Sequence, residues 1–205
     1  MKRSALLFWA ACGLVWMDCS RSVVVRKFYV LEPQQTTVPA ALQLDHPMPI
    51  KVDVRDFTIA KAFDQTRIAL RTQSNELNYY YYHLWAVRPA SAVADMVYQI
   101  VSPLNLFQRC TRGFSIGPDY YLSGQIMALE RTQMAKKEYA HVSGTLFLFD
   151  ARTELPVLQQ DFNRLVDLKK TRSMNGFAHA AGTILQGEME TFLQQIVEFY
   201  HAEQP

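Results

Sequence analysis

The chain has 205 residues and a mass of 23.6 kDa, room for one ordinary domain, and its 49% apolar and 20% charged residues can fill a core. With only 8 Gly and 9 Pro it has no low-complexity bias, which excludes disorder, collagen and coiled coil as the main state. A net charge of +2, from 21 Lys and Arg against 19 Asp and Glu, is too balanced for a protein that grips nucleic acid by neutralising phosphates.

Lys2 and Arg3 precede an apolar run from Ala5 to Met17. This is the basic-then-apolar order of an export signal, and the run is shorter than the about 20 residues that span a bilayer. A lipoprotein signal ends directly before a cysteine that takes a diacylglyceryl group. Cys12 follows the small residues Ala10 and Ala11, but a cut there leaves a stub of an apolar region. Cys19 stands at the right distance, behind the atypical approach Trp16-Met17-Asp18. We read 1–18 as signal peptide, Cys19 as the lipid anchor, 19–27 as a tether and 28–205 as the domain. One thiol, Cys110, then remains in the body, where it reads as a small buried side chain rather than a nucleophile.

Phe28-Tyr29-Val30-Leu31 reads as a first strand, followed by a Pro, Gln and Thr loop to Pro39. In the second strand Ile50, Val52 and Val54 alternate with Lys51, Asp53 and Arg55, one apolar face against one charged. Thr66–Arg71 and Leu77–Trp85, joined by a turn at Ser74-Asn75-Glu76, form a hairpin. After Pro89 the period becomes helical at Val93, Met96, Val97, Ile100 and Leu104, and Pro103 ends the helix near Ser102. Three strands follow near 120–132, 138–150 and 156–168, the last two joined through Asp150–Glu154. A long helical stripe runs from Phe177 through Ala181, Ile184, Leu185, Met189, Phe192 and Ile196 to Tyr200. The expected fold is one α+β domain, a mainly antiparallel sheet covered by two amphipathic helices, because strands joined by short turns are antiparallel.

Catalytic signals are sparse. Gly113-Phe114-Ser115-Ile116-Gly117 matches the serine-hydrolase elbow, with Ser115 as nucleophile, but a helix precedes it and a strand follows, the reverse of the elbow's strand-to-helix setting. The five histidines, His46, His83, His141, His179 and His201, form no metal-binding pair, no C-x-x-C exists, and no phosphate-cradling glycine loop is present. Glu188 and Glu190, two apart on a helix, diverge and read as a solvated face. No cofactor, metal or enzymatic activity is expected. The most unusual composition is Tyr79-Tyr80-Tyr81-Tyr82-His83-Leu84-Trp85. Alternation sends two tyrosines inward and two outward, and Tyr80, Tyr82 and Trp85 are the candidate partner contacts.

The leader, Phe28–Pro33 shortly after Cys19, the Ile50-Lys51-Val52 and Arg67–Arg71 strands, Tyr79–Tyr82, and Trp85 just before Pro89 together resemble the ABC-type transport auxiliary lipoproteins. These are the PqiC-like components of MCE lipid-trafficking systems in Gram-negative envelopes. The resemblance implies a non-catalytic periplasmic domain, held at a membrane, usually the outer one, by an acylated (palmitate-bearing) cysteine. It also implies an MCE-domain protein and ABC transporter components as partners, phospholipid or related hydrophobic molecules as cargo, and a homo-oligomeric ring as one arrangement. Ser20, where an aspartate would favour inner-membrane retention, fits outer-membrane sorting.

Overall fold

In a computed structural model, residues 24–34, 37–113, 117–169 and 172–202 are described. The organising element is a 15-residue strand, β7 (Tyr120–Met134). One of its edges pairs antiparallel with β8 (Lys137–Asp150) along its whole length, and β8 pairs antiparallel with β9 (Pro156–Asp167). Three strands lie end to end along the other edge, all parallel to it. They are β2 (Met48–Val54) at Tyr120–Leu122, β3 (Thr58–Ile59) at Gln125–Ile126, and β4 (Arg67–Gln73) at Glu130–Thr132. Outside them, β6 (Phe107–Arg112) runs parallel to β2, β5 (Glu76–Trp85) antiparallel to β4, and β1 (Lys27–Tyr29) parallel to β5.

The sheet is therefore mixed, not mainly antiparallel. The short turns after β4, β7 and β8 give the expected antiparallel pairs. Every other neighbour is reached by a crossover, and a crossover leaves the returning strand parallel. Strand β6, with the sequence Phe-Gln-Arg-Cys-Thr-Arg, escapes a pattern reading because it is an edge strand with two exposed polar residues, Gln108 and Arg109.

Among the described residues, two α-helices lie against the sheet. Helix α1 (Pro89–Val101) starts with its proline in the first turn and buries Val93, Met96, Val97 and Ile100 over β2, β3 and β6. Pro103 follows in a single 3-10 turn, Ser102–Leu104, and Asn105 turns the chain with φ of 51°. Helix α2 (Met174–Ala202) packs on β8, β9, β1 and α1. Its exposed positions through the first five turns, Asn175, His179, Thr183, Gly187 and Thr191, are four apart and make a strip one residue wide. Phe177 and Phe192 are fully buried in the core it covers. Among the described residues no helix is long and apolar enough to cross a membrane.

One irregularity decides which side chains enter that core. Strand β8 alternates without a break, burying Ala140, Val142, Gly144, Leu146 and Leu148. Strand β7 carries a bulge at Met127, between the pairs Ile126↔Gly144 and Ala128↔Ser143. An extra residue reverses the side-chain parity of everything after it. Leu122 and Ile126 face the helices before the bulge; Leu129 and Arg131 face them after it, opposite Ala140. Ala128 instead joins a second small cluster with Phe63 and Ala69, and Glu130 goes with it. The bulge thereby sets which of two adjacent charged residues faces the helices, Arg131, and which faces away, Glu130.

Candidate functional site

The aromatic strand β5 does not follow simple alternation. Between the pairs Arg67↔Leu84 and Ala69↔Tyr79, the residues Tyr80–His83 stand against Ile68 alone. This wide bulge leaves Tyr79 and Tyr80 half-buried and puts the neighbours Tyr81 and Tyr82 both outside, where their rings meet edge to face at 4.9 Å. Tyr82 is exposed as expected. Trp85 is not a surface residue: it is 2% exposed and its ring lies 5.8 Å from that of Phe177 in the core, so it has no face to offer a partner. Tyr80 packs against the core beside Arg131, and burial raises its hydroxyl pKa. Tyr81, which sequence reasoning passed over, is the most open of the four at 62%, with the Arg26 guanidinium 5.7 Å from its ring centre. Next to it, the chain entering β1 leaves Val24, Val25, Phe28 and Val30 exposed. The bulge that creates this patch has no local sequence signature.

On the helix-free face, Glu130 is 1% exposed and its Oε1 accepts from Arg71 Nε at 2.7 Å and from His141 Nδ1 at 3.0 Å. His141 Nε2 lies 3.0 Å from Asn163 Oδ1, so both ring nitrogens face acceptors and the doubly protonated imidazolium satisfies both. The hydrogen bond to Glu130 accordingly raises the His141 pKa. Burial alone would raise the Glu130 carboxyl, but His141 and Arg71 outweigh it and hold it below the usual range. On the opposite face, Arg131 is 6% exposed and donates to Glu138 and to the Arg172 carbonyl. The sequence signal for both centres is the adjacent Glu130-Arg131 pair in the middle of a long strand.

Glu188 is also buried, at 7%, and is not part of a solvated face. Its carboxylate accepts from Arg164 and from Gln160 Nε2, side chains of β9, so it ties the helix to the edge of the sheet. Asp53, expected on a charged face, is 5% exposed and accepts from the Thr111 hydroxyl at 2.6 Å. Cys110 is half-buried, and burial, with Asp53 nearby, pushes its thiol up to about 12, which suits a packing residue and not a nucleophile.

The proposed anchor Cys19, the leader and Ser115 lie outside the described residues. Gly113 and Gly117, which bracket Ser115, both have positive φ and connect strand β6 to strand β7. That is a strand-to-strand setting, not the strand-to-helix turn of a hydrolase elbow. Among the described residues no group of three or more His, Cys, Asp or Glu could hold a metal ion.

The fold has known relatives. The crystal structure of protein XCC0632 from Xanthomonas campestris superposes with a TM-score of 0.72 at 16% identity, covering 87% of this chain and 100% of that one. A second crystal structure, of an uncharacterized protein, gives 0.64 at 11% identity over 84% and 99% of the two chains. No curated protein matches the chain. The family model for the ABC-type transport auxiliary lipoprotein component matches residues 29–188, from β1 into the middle of α2. The chain belongs to the ABC-type transport auxiliary lipoprotein family, whose members are lipoprotein components of the cell envelope.

Proposed function

We propose that this protein is a membrane-anchored periplasmic lipoprotein, the non-catalytic auxiliary component of an MCE and ABC-type system. That system moves phospholipids or other hydrophobic molecules across the Gram-negative envelope. The observation that carries the reading is the family match over 29–188, which begins shortly after Cys19, the residue that follows the proposed 1–18 leader. Acylation of Cys19 holds the domain at the periplasmic face of the outer membrane, and more than one acyl chain on one cysteine suffices for stable anchoring. The exposed Tyr81 and Tyr82 form the contact surface for the MCE-domain protein. Assembly of several copies belongs to the same reading, and the 12-residue strand β9, paired on one side with β8, supplies an edge for it.

The anchor is tested by metabolic labelling with palmitate and membrane fractionation of the wild type and Cys19→Ala. The variant is expected to lose both the label and the outer-membrane fraction. If Cys19→Ala remains acylated and membrane-bound, the reading fails. A photo-crosslinker placed at Tyr82 is expected to capture an MCE-domain protein in intact cells.

A further inference from the structure

The parity change in β7 carries a consequence for ligand binding. Arg131, turned toward the helices, sits at the floor of a cleft of about 590 Å³ between β1, β5 and the start of α2. The walls include Lys27, Tyr80, His83, Arg172 and Asn175, and among the described residues no carboxylate lines it. The guanidinium donates to oxygen at Glu138 and at the Arg172 carbonyl, and the Tyr80 hydroxyl is a further oxygen within its hydrogen-bonding reach. Another donor points at the Met174 thioether, 2.9 Å from Nη1, and sulfur is a weak acceptor. The buried Nε has no partner among the described residues. A guanidinium nine-tenths buried ordinarily has its charge and its donors matched by oxygen, because leaving them unmatched is costly. Here one carboxylate faces Arg131, while Lys27 and Arg172 add two more positive charges at the rim.

A second feature points the same way. The first turn of the 29-residue α2 opens on this cleft through Ser173 and Asn175; the Ser173 hydroxyl caps the Gly176 amide at 3.0 Å, and the dipole and the remaining first-turn amides favour an anion. His83, on the opposite wall, has its pKa lowered first by burial and then by Lys27 and Arg131, as expected where the local potential is positive. A carboxylate offers two oxygens to such a site. A phosphate group offers more, enough to bridge a guanidinium, a rim ammonium and helix amides together.

We infer that the cleft over Arg131 binds a phosphate group, with Arg131 and Lys27 supplying charge and the start of α2 supplying backbone donors. Inorganic phosphate and a phospholipid headgroup share this chemistry. The site does not depend on the anchor at Cys19, so either can fail without the other. The alternative role for Arg131 is a staple between β7 and α2, which predicts no anion binding.

Calorimetric titration of the full chain, at low ionic strength, uses inorganic phosphate and the water-soluble headgroup diester glycerophosphoglycerol as separate probes. Saturable binding that weakens with added salt is expected. Arg131→Gln is expected to weaken it by about tenfold or more, the size of a lost charge-assisted hydrogen bond. Because that residue is buried, the exposed pair Lys27→Gln and Arg172→Gln serves as a second variant that keeps the core intact, with a loss of about threefold or more. Tighter binding of the diester assigns the site to headgroups, and tighter binding of inorganic phosphate assigns it to the free ion. No saturable binding of either probe to the folded wild type, or unchanged affinity in the Lys27→Gln, Arg172→Gln variant, overturns the inference.

Discussion

Truncating Trp85 separates the two readings of the aromatic strand. The ring is 2% exposed and leans on Phe177, which is fully buried, so Trp85→Ala empties part of the main core. Such large-to-small changes cost about 3–5 kcal/mol, a large part of the ~5–15 kcal/mol that holds a domain together. For a chain of this size each kcal/mol shifts Tm by about 2–4 °C, so the midpoint should fall by roughly 6–20 °C. Tyr82→Ala removes a ring that is 40% exposed and should stay within about 0.5 kcal/mol of the wild type. The assay is thermal unfolding by circular dichroism on a chain starting at Ser20. In that chain Trp85 is the one indole, since Trp9 and Trp16 precede it. Its fluorescence should be blue-shifted and shielded from acrylamide. Equal melting of the two variants, or an indole as accessible in the folded chain as in the denatured one, would refute the placement.

Two further outcomes follow from the sheet. A Cβ on Gly144 would lie 2.3 Å from the Gln125 carbonyl oxygen and 3.1 Å from Ile126 Cα, backbone atoms that cannot swing aside, so Gly144→Ala should cost about 1–3 kcal/mol in urea unfolding; a neutral result would show that β7 can retreat. His141 has a raised pKa in the fold, so its contribution to stability is complete below the unfolded value of about 6.5 and is lost as pH rises through the folded value. Glu130, held low, contributes above its unfolded value of about 4.3 and loses that contribution as pH falls through the folded one. Stability against pH should therefore decline on both sides of a maximum, and His141→Gln should flatten the alkaline limb; an unchanged alkaline limb would place the proton elsewhere.

The elements with a clear period were legible from residues alone. The alternation in β2, the turn at Ser74-Asn75 and the helical spacing of Val93, Met96, Val97 and Ile100 each follow from local geometry. What local geometry cannot carry is the identity of a strand's neighbours. Placing β2, β3 and β4 end to end along one edge of β7 depends on contacts between residues far apart in sequence, as Ala69↔Glu130 illustrates. The two-residue β3 is too short to show any period, and β6 is too polar.

The burial of Tyr80 and Trp85 and the facing of Glu130 and Arg131 escaped the pattern for one shared reason. Alternation assigns faces correctly until extra residues intervene, and both regions lie at or just beyond such a break. In β5 the bulge at Tyr80–His83 converts an expected in-and-out series into two half-buried tyrosines followed by two exposed ones, and seats Trp85 in the core. In β7 the bulge at Met127 decides which way the adjacent Glu130 and Arg131 face, so the carboxylate meets His141 and Arg71 while the guanidinium behind it reaches the start of α2. Without that inserted residue, Arg131 would turn to the face that carries Phe63 and Ala69 and leave the cleft by α2 without its buried cation. The bulges thus do more than bend strands. They decide which charges and rings this domain presents, and they place them where no apolar pattern would.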